Sequence, residues 1–117
     1  MRFEHTGLEE EVRELSLLDD IMEENGFVRA GGWDYERLTY DYKIEVLKDV
    51  YYLRVQGVAV EGDIGGRYAV IQLMKPILGK HYYPHGVEYD EEFPENIVSK
   101  CEGILKKVKE HLVAMPK

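Results

Sequence analysis

Tyr51-Tyr52-Leu53-Arg54-Val55-Gln56-Gly57-Val58-Ala59-Val60-Glu61, followed by Gly62-Asp63-Ile64-Gly65-Gly66, is the stretch that decides the fold. Tyr51, Leu53 and Val55 alternate with more polar neighbours, the period of a strand with one buried face. The run ends in a glycine-rich turn, where glycine takes positive φ without strain. So short a connection implies an antiparallel hairpin, because parallel strands need a long crossover. The apolar phase changes at Gly57, from Tyr51, Leu53, Val55 to Val58, Val60, and predicts a β-bulge there.

Working outward, β-forming residues dominate from Phe27 to Tyr83. Strands are expected near 27–35, 39–46, 50–61, 67–75 and 77–83, with a turn at Lys48-Asp49. Pro76 cannot donate to a ladder, so the last strand is expected at an edge or after a bend. Helices flank this region. The first is expected over about 7–25, opened by a Thr6/Glu9 capping box and closed by Asn25-Gly26. Leu8, Val12, Leu15, Leu18 and Met22 share its apolar face, widened by Leu17 and Ile21. The second is expected over about 94–113, with Pro94 at its first position. Its stripe is Ile97, Cys101, Ile104, Val108 and Leu112, with Val98 and Leu105 beside it. Gly103 inside that helix predicts a close neighbour.

The fold class is therefore α+β. An antiparallel sheet of about four to five strands is flanked by an N-terminal and a C-terminal helix packed on one face. The 117 residues form a single domain, residues 1–117. The other sheet face must be solvated, covered by oligomerisation or used.

The net charge of −8 disfavours nucleic acid and anionic membrane surfaces as partners. Cys101 is the single cysteine, so no intrachain disulfide can form. No apolar run approaches the roughly 18 residues of a membrane span, and the first residues lack an apolar signal core. The expectation is a cytoplasmic protein.

Nine of the aromatic residues are tyrosines, nearly all in expected strands. Tyrosine suits a surface with one apolar and one wet side, so a tyrosine-rich sheet face is a candidate contact surface. Ordinary β-propensity explains the same enrichment. Trp33 to Lys43 is nearly a palindrome of aromatic and acidic residues. Folded as a hairpin between Arg37 and Leu38, it sets Tyr35 opposite Tyr40, Asp34 opposite Asp41 and Trp33 opposite Tyr42. The aromatic pairs stabilise such a hairpin and the Asp34/Asp41 pair opposes it. A divalent cation, a shared proton, or Lys43 or Arg37 would relieve that repulsion. Two carboxylates alone are too few for a metal site, and a solvated acidic face accounts for them as well. His81 and His85 flank Tyr82-Tyr83-Pro84; they offer imidazole ligands, but a surface loop explains them too. Cys101 lies on an apolar stripe, where a thiol is inert packing.

The run Gly31-Gly32-Trp33-Asp34-Tyr35, with Tyr40-Asp41-Tyr42-Lys43 and Tyr51-Tyr52-Leu53-Arg54-Val55, resembles the YugN-like family of Bacillus-type bacteria. The likeness extends to the glycine turn at 62–66 and to the segment from Pro76-Ile77-Leu78 through His81. It implies an α+β domain of a low-GC Gram-positive bacterium. It implies no activity, no cofactor and no catalytic residues.

No catalytic or cofactor motif is present in the sequence, and no metal or cofactor is assigned. The favoured reading is a non-enzymatic binding or assembly module using the tyrosine-rich face or the strand edge near Pro76, with a second copy of the chain as partner. The alternatives are a small-molecule or metal-ion binder at Asp34/Asp41 or His81/His85, and an enzyme with no recognisable motif. The binding candidates are Trp33, Asp34, Tyr35, Tyr40, Asp41, Tyr42, Tyr52, His81 and His85.

Overall fold

The spine of the molecule is one long strand between two unequal flanks. In the computed structural model, which describes residues 1–31 and 34–115, the order is a 3-10 turn (Leu8–Glu10), β1 (Val12–Glu14), α1 (Leu15–Glu24), β2 (Val28–Arg29), β3 (Arg37–Val46), β4 (Asp49–Gly62), β5 (Ala69–Leu73), β6 (Ile77–Tyr82), β7 (Gly86–Glu88) and α2 (Glu95–Ala114). Among the described residues the strands make one seven-stranded sheet, and every pairing in it is antiparallel. β3 lies along one side of β4, from Arg37↔Val58 to Val46↔Asp49. β5 and β6 share the other side end to end, joined through residues 74–76. Pro76 stands at that junction, where a missing donor costs nothing, and its carbonyl accepts the Phe3 N–H at 2.8 Å. The bend is as expected, but β6 is not an edge: β7 pairs with it.

Alternation along the strands assigns the two faces. Leu38, Tyr40, Ile44, Tyr51, Leu53, Val55, Ile71, Leu73 and Leu78 are buried and join one core with Leu18, Ile21 and Met22 of α1. Ile97, Cys101, Leu105, Val108 and Leu112 of α2 complete it. Both helices thus cover the same face, and among the described residues the reverse face carries none.

The first element departs from expectation. A helix from residue 7 does not form; instead the 3-10 turn is followed by β1, which pairs with β5 through Arg13↔Ile71. Gly7 at φ 74° interrupts any helix, and Thr6 Oγ1 accepts the Leu8 N–H at 3.2 Å in place of a full capping box. A buried ion cluster then holds the strand. Arg13 Nη2 lies 2.6 Å from Glu11 Oε1 and donates to the Leu112 carbonyl at 2.8 Å, while Lys109 Nζ reaches Glu11 Oε2 at 2.6 Å. Those bonds tie the segment to α2, so tertiary pairing overrides the helical spacing of Leu8 and Val12. α1 starts at Leu15, with the Glu14 carboxylate accepting from Ser16, and Leu17 is left exposed.

Smaller corrections follow the same logic. The bulge lies between Ala59 and Glu61, not at Gly57. Gly57 is required by crowding, since a Cβ there would meet Ile71 Cγ2 at 2.5 Å. A Cβ at Gly103 would meet nothing within 4 Å, so the close contact expected there is absent. Leu105 is buried, whereas Ile104 is only partly so. β1 and β7 raise the strand number above expectation, and the strand expected at 27–35 shrinks to β2.

Candidate functional site

The helix-free face is centred on Arg54. On β4 this face shows Val50, Tyr52, Arg54, Gln56 and Val58, all half-buried. Register adds Asp41 and Lys43 from β3, Ile77 and His81 from β6, and Val87 from β7. Arg54 Nε donates to Asp41 Oδ1 at 2.9 Å and its Nη1 lies 2.6 Å from the Tyr89 hydroxyl. Its guanidinium sits 5.5 Å from the centroid of the Tyr52 ring, a cation–π contact. The His81 ring meets Tyr52 edge-on at 6.0 Å. Side-chain exposure is 26% for Arg54 and 18% for Asp41, so this pair is well shielded from water. Burial works against the Arg54 charge, but the hydrogen bonds to Asp41 and Tyr89 outweigh it and hold the group cationic. Gly79 makes room for this arrangement: a Cβ there would meet Tyr89 Cε1 at 2.8 Å.

The sequence-derived candidates are divided among several places. Asp34 and Asp41 do not face each other. No hairpin turns between Arg37 and Leu38, because β3 runs straight through both and pairs with β4, Tyr40 opposite Val55. Asp34 instead accepts the N–H groups of Glu36 and Arg37, at 2.8 and 3.1 Å, and starts β3 as a turn residue. The repulsion that motivated a cation there is therefore removed. Tyr35 does not face Tyr40: it is exposed in a loop, against Gly65. Tyr40 is buried on the helix side, its hydroxyl donating to Asp19 Oδ1 at 2.6 Å. Tyr42 packs edge-on against Phe27 at 5.5 Å. Trp33 lies outside the described residues. Tyr52 and His81 do stand together on the helix-free face, while His85 is exposed in the turn after β6. Among the described residues no cluster of three or more His, Cys, Asp or Glu is placed to hold a metal ion. Burial pushes the Cys101 thiol up to about 11.

The reverse face is therefore not laden with tyrosine. Only Tyr52 and Tyr89 stand on it, since Tyr40, Tyr42, Tyr51 and Tyr82 turn to the helix side and Tyr35, Tyr68 and Tyr83 lie in loops. Valine and isoleucine hold most of its apolar positions. Sequence reading missed Arg54 and Tyr89 as partners. The available signal was a lone arginine at a polar-phase position between Leu53 and Val55.

Two depressions border this face. One, of about 710 Å³, lies between residues 29–31, 34–39 and the glycine turn, and Asp34, Tyr35, Arg37 and Gln56 line it. The other, of about 530 Å³, lies where β2 ends, among Gly26, Val28, Ala30, Asp41, Tyr42, Lys43 and Tyr52.

The fold as a whole is shared with a solved structure. A crystal structure of an uncharacterised conserved protein YugN from Geobacillus kaustophilus HTA426 superposes with a TM-score of 0.88 at 56% identity, covering 98% of this chain and 96% of that one. The uncharacterised protein YlbA of Bacillus subtilis is 54% identical over 110 residues, 92% of each chain. The uncharacterised protein YugN of the same organism is 30% identical over 74 residues, 63% of this chain and 55% of that one. With the family profile matching residues 5–112, the chain belongs to the YugN-like family.

Proposed function

We propose that this protein is a non-catalytic assembly module that associates with a second copy of itself through the helix-free side of its sheet. One observation carries the reading. Tyr52, Val50, Val58, Ile77 and Val87 form a half-exposed apolar surround for a braced Arg54, on the one sheet face that no helix covers. Aromatic and arginine side chains of this kind anchor protein contacts, and an apolar ring around them excludes water. Asp41 and Tyr89 fix the guanidinium in advance, so little side-chain freedom remains to be lost on association. Asp41, Tyr52 and His81 belong to this surface, and Tyr42 borders it at the depression beside β2. Asp34 and Tyr35 line the separate cleft by the glycine turn.

Sedimentation velocity over a wide concentration range tests this. The expected result is a mass that rises from monomer to dimer. A strictly monomeric protein at the highest concentration reached would remove the reading.

A further inference from the structure

The cleft of about 710 Å³ by the glycine turn has fixed walls. The Ile64 N–H donates to the Tyr35 carbonyl at 2.9 Å, and the Ala59 N–H to the Glu36 carbonyl at 2.7 Å. The loop before β3 is thus tied both to the glycine turn and to β4. Asp34 Oδ1 accepts the N–H groups of Glu36 and Arg37 and braces the same loop from within. Gly65 admits the Tyr35 ring, since a Cβ there would lie 2.7 Å from Tyr35 Cε1. On the far side the Ala30 N–H donates to the Thr39 carbonyl at 2.8 Å. A cleft built this way has little backbone freedom left to lose when it is filled.

Its floor is polar, and one charge on it is uncompensated. Thr39 stands opposite Gln56, and Arg37, two residues earlier on β3, projects from the same face. Arg2, Arg13, Arg29 and Arg54 each pair with a carboxylate. Arg37 makes no such pair among the described residues, in a chain whose net charge is −8. Asp34 also lines the cleft, but the two main-chain donors on its Oδ1 offset its charge. Arg29 lines it as well, with its Nε already 3.8 Å from Asp19.

The chemistry of the lining points to one class of ligand. A guanidinium offers a fork of donors that matches the oxygens of a carboxylate or a phosphate. The Gln56 amide adds a further donor beside it. The Tyr35 ring is exposed, and with Ile64 it supplies an apolar wall. Sites for small organic ligands measure about 300–1,000 Å³, and a bare inorganic ion would leave most of this one empty.

We infer that the cleft binds a small organic acid, its carboxylate or phosphate held by Arg37 and Gln56 and its ring or short apolar body lying against Tyr35 and Ile64. This goes beyond the self-association reading and does not depend on it.

An NMR titration of the full chain tests it, with phenyl phosphate, benzoate, inorganic phosphate and acetate as probes. Phenyl phosphate or benzoate is expected to shift the amides of Arg37, Gln56 and Gly65 saturably, and the tighter of the two identifies the headgroup. The corresponding bare ion is expected to bind about tenfold more weakly or worse, because it leaves the apolar wall unused. Arg37→Gln is expected to weaken the aromatic probe by about tenfold or more. Arg67, the other arginine without a carboxylate partner, does not line the cleft, so Arg67→Gln at physiological salt is expected to change binding by less than about twofold. Tyr35→Ala is expected to weaken the aromatic probe and leave the bare ion unchanged. Circular dichroism melts show that each variant keeps its fold. No saturable shift with any probe overturns the inference, and so do shifts confined to other parts of the chain. Equal losses in Arg37→Gln and Arg67→Gln would reduce the effect to general charge, and bare ions binding as tightly as aromatic ones would reduce it to an adventitious ion only; either result overturns the site as described.

Discussion

At the scale of single residues, two buried polar groups hold most of the distinctive chemistry. Arg13 ties β1 to the end of α2 and is shielded from water together with Glu11. Arg13→Met removes one of the two cations beside Glu11, Lys109 staying on its other oxygen, and leaves the buried Leu112 carbonyl without this donor, so a loss of about 1–3 kcal/mol is expected in urea unfolding. Lys75, paired with Glu4 at 2.6 Å in the open, is the control. Its replacement by Met is expected to change stability by less than about 1 kcal/mol. Tyr40 gives a different signature. Burial, then its hydrogen bond to Asp19, raises the phenol far above the usual range for tyrosine. The unfolded chain therefore loses this proton at lower pH than the folded one, so the folded state binds more protons above about pH 10. Its contribution is complete below that pH and declines as pH rises. Unfolding measured from pH 8 upward is expected to show a steeper alkaline loss in wild type than in Tyr40→Phe. Equal slopes would mean that the buried phenol is not the source.

At the scale of elements, glycine positions separate crowding from propensity. Gly57 faces Ile71 and Leu38 across the core, and an added methyl must displace one of them. Gly57→Ala is expected to destabilise by about 1–3 kcal/mol. Gly103, on the exposed side of α2, has open space instead. Gly103→Ala is expected to stabilise by about 1 kcal/mol through helix propensity alone, and thermal melts of the two variants should move in opposite directions. The same contrast explains which elements could be read beforehand. α2 was legible because Ile97, Cys101, Val108 and Leu112 keep one period over twenty residues. The β3–β4–β5 meander was legible from alternation and the glycine turn. β1 was not, because Leu8 and Val12 fit a helical stripe and only the distant partners Ile71 and Leu112 make Arg13 a strand residue. The false hairpin at Arg37 came from local symmetry in a segment whose true partner, β4, lies farther along the chain. Tyr52 and His81 were found as candidates, but Arg54 acquires its meaning only when Asp41 and Tyr89 are brought beside it.

At the scale of the whole molecule, the dimensions are those of a two-layer slab, 40 × 30 × 22 Å, with a radius of gyration of 14.2 Å. A compact chain of this length is expected near about 13 Å, and the excess reflects a sheet covered on one side only. Hydrogen exchange reports directly on how that sheet ends. β4 is paired along both sides, so the amides of Leu53 and Val55 should open only with global unfolding. Along β3 the amides of Tyr42 and Ile44 point to β4, whereas those of Lys43 and Glu45 point outward past the end of β2. In dilute solution an alternating pattern is expected, with Lys43 and Glu45 exchanging fast between protected neighbours. Association through the helix-free face adds no main-chain hydrogen bond along this edge, so Lys43 and Glu45 are expected to stay fast at every concentration, and their slowing at high concentration would mean an edge contact instead.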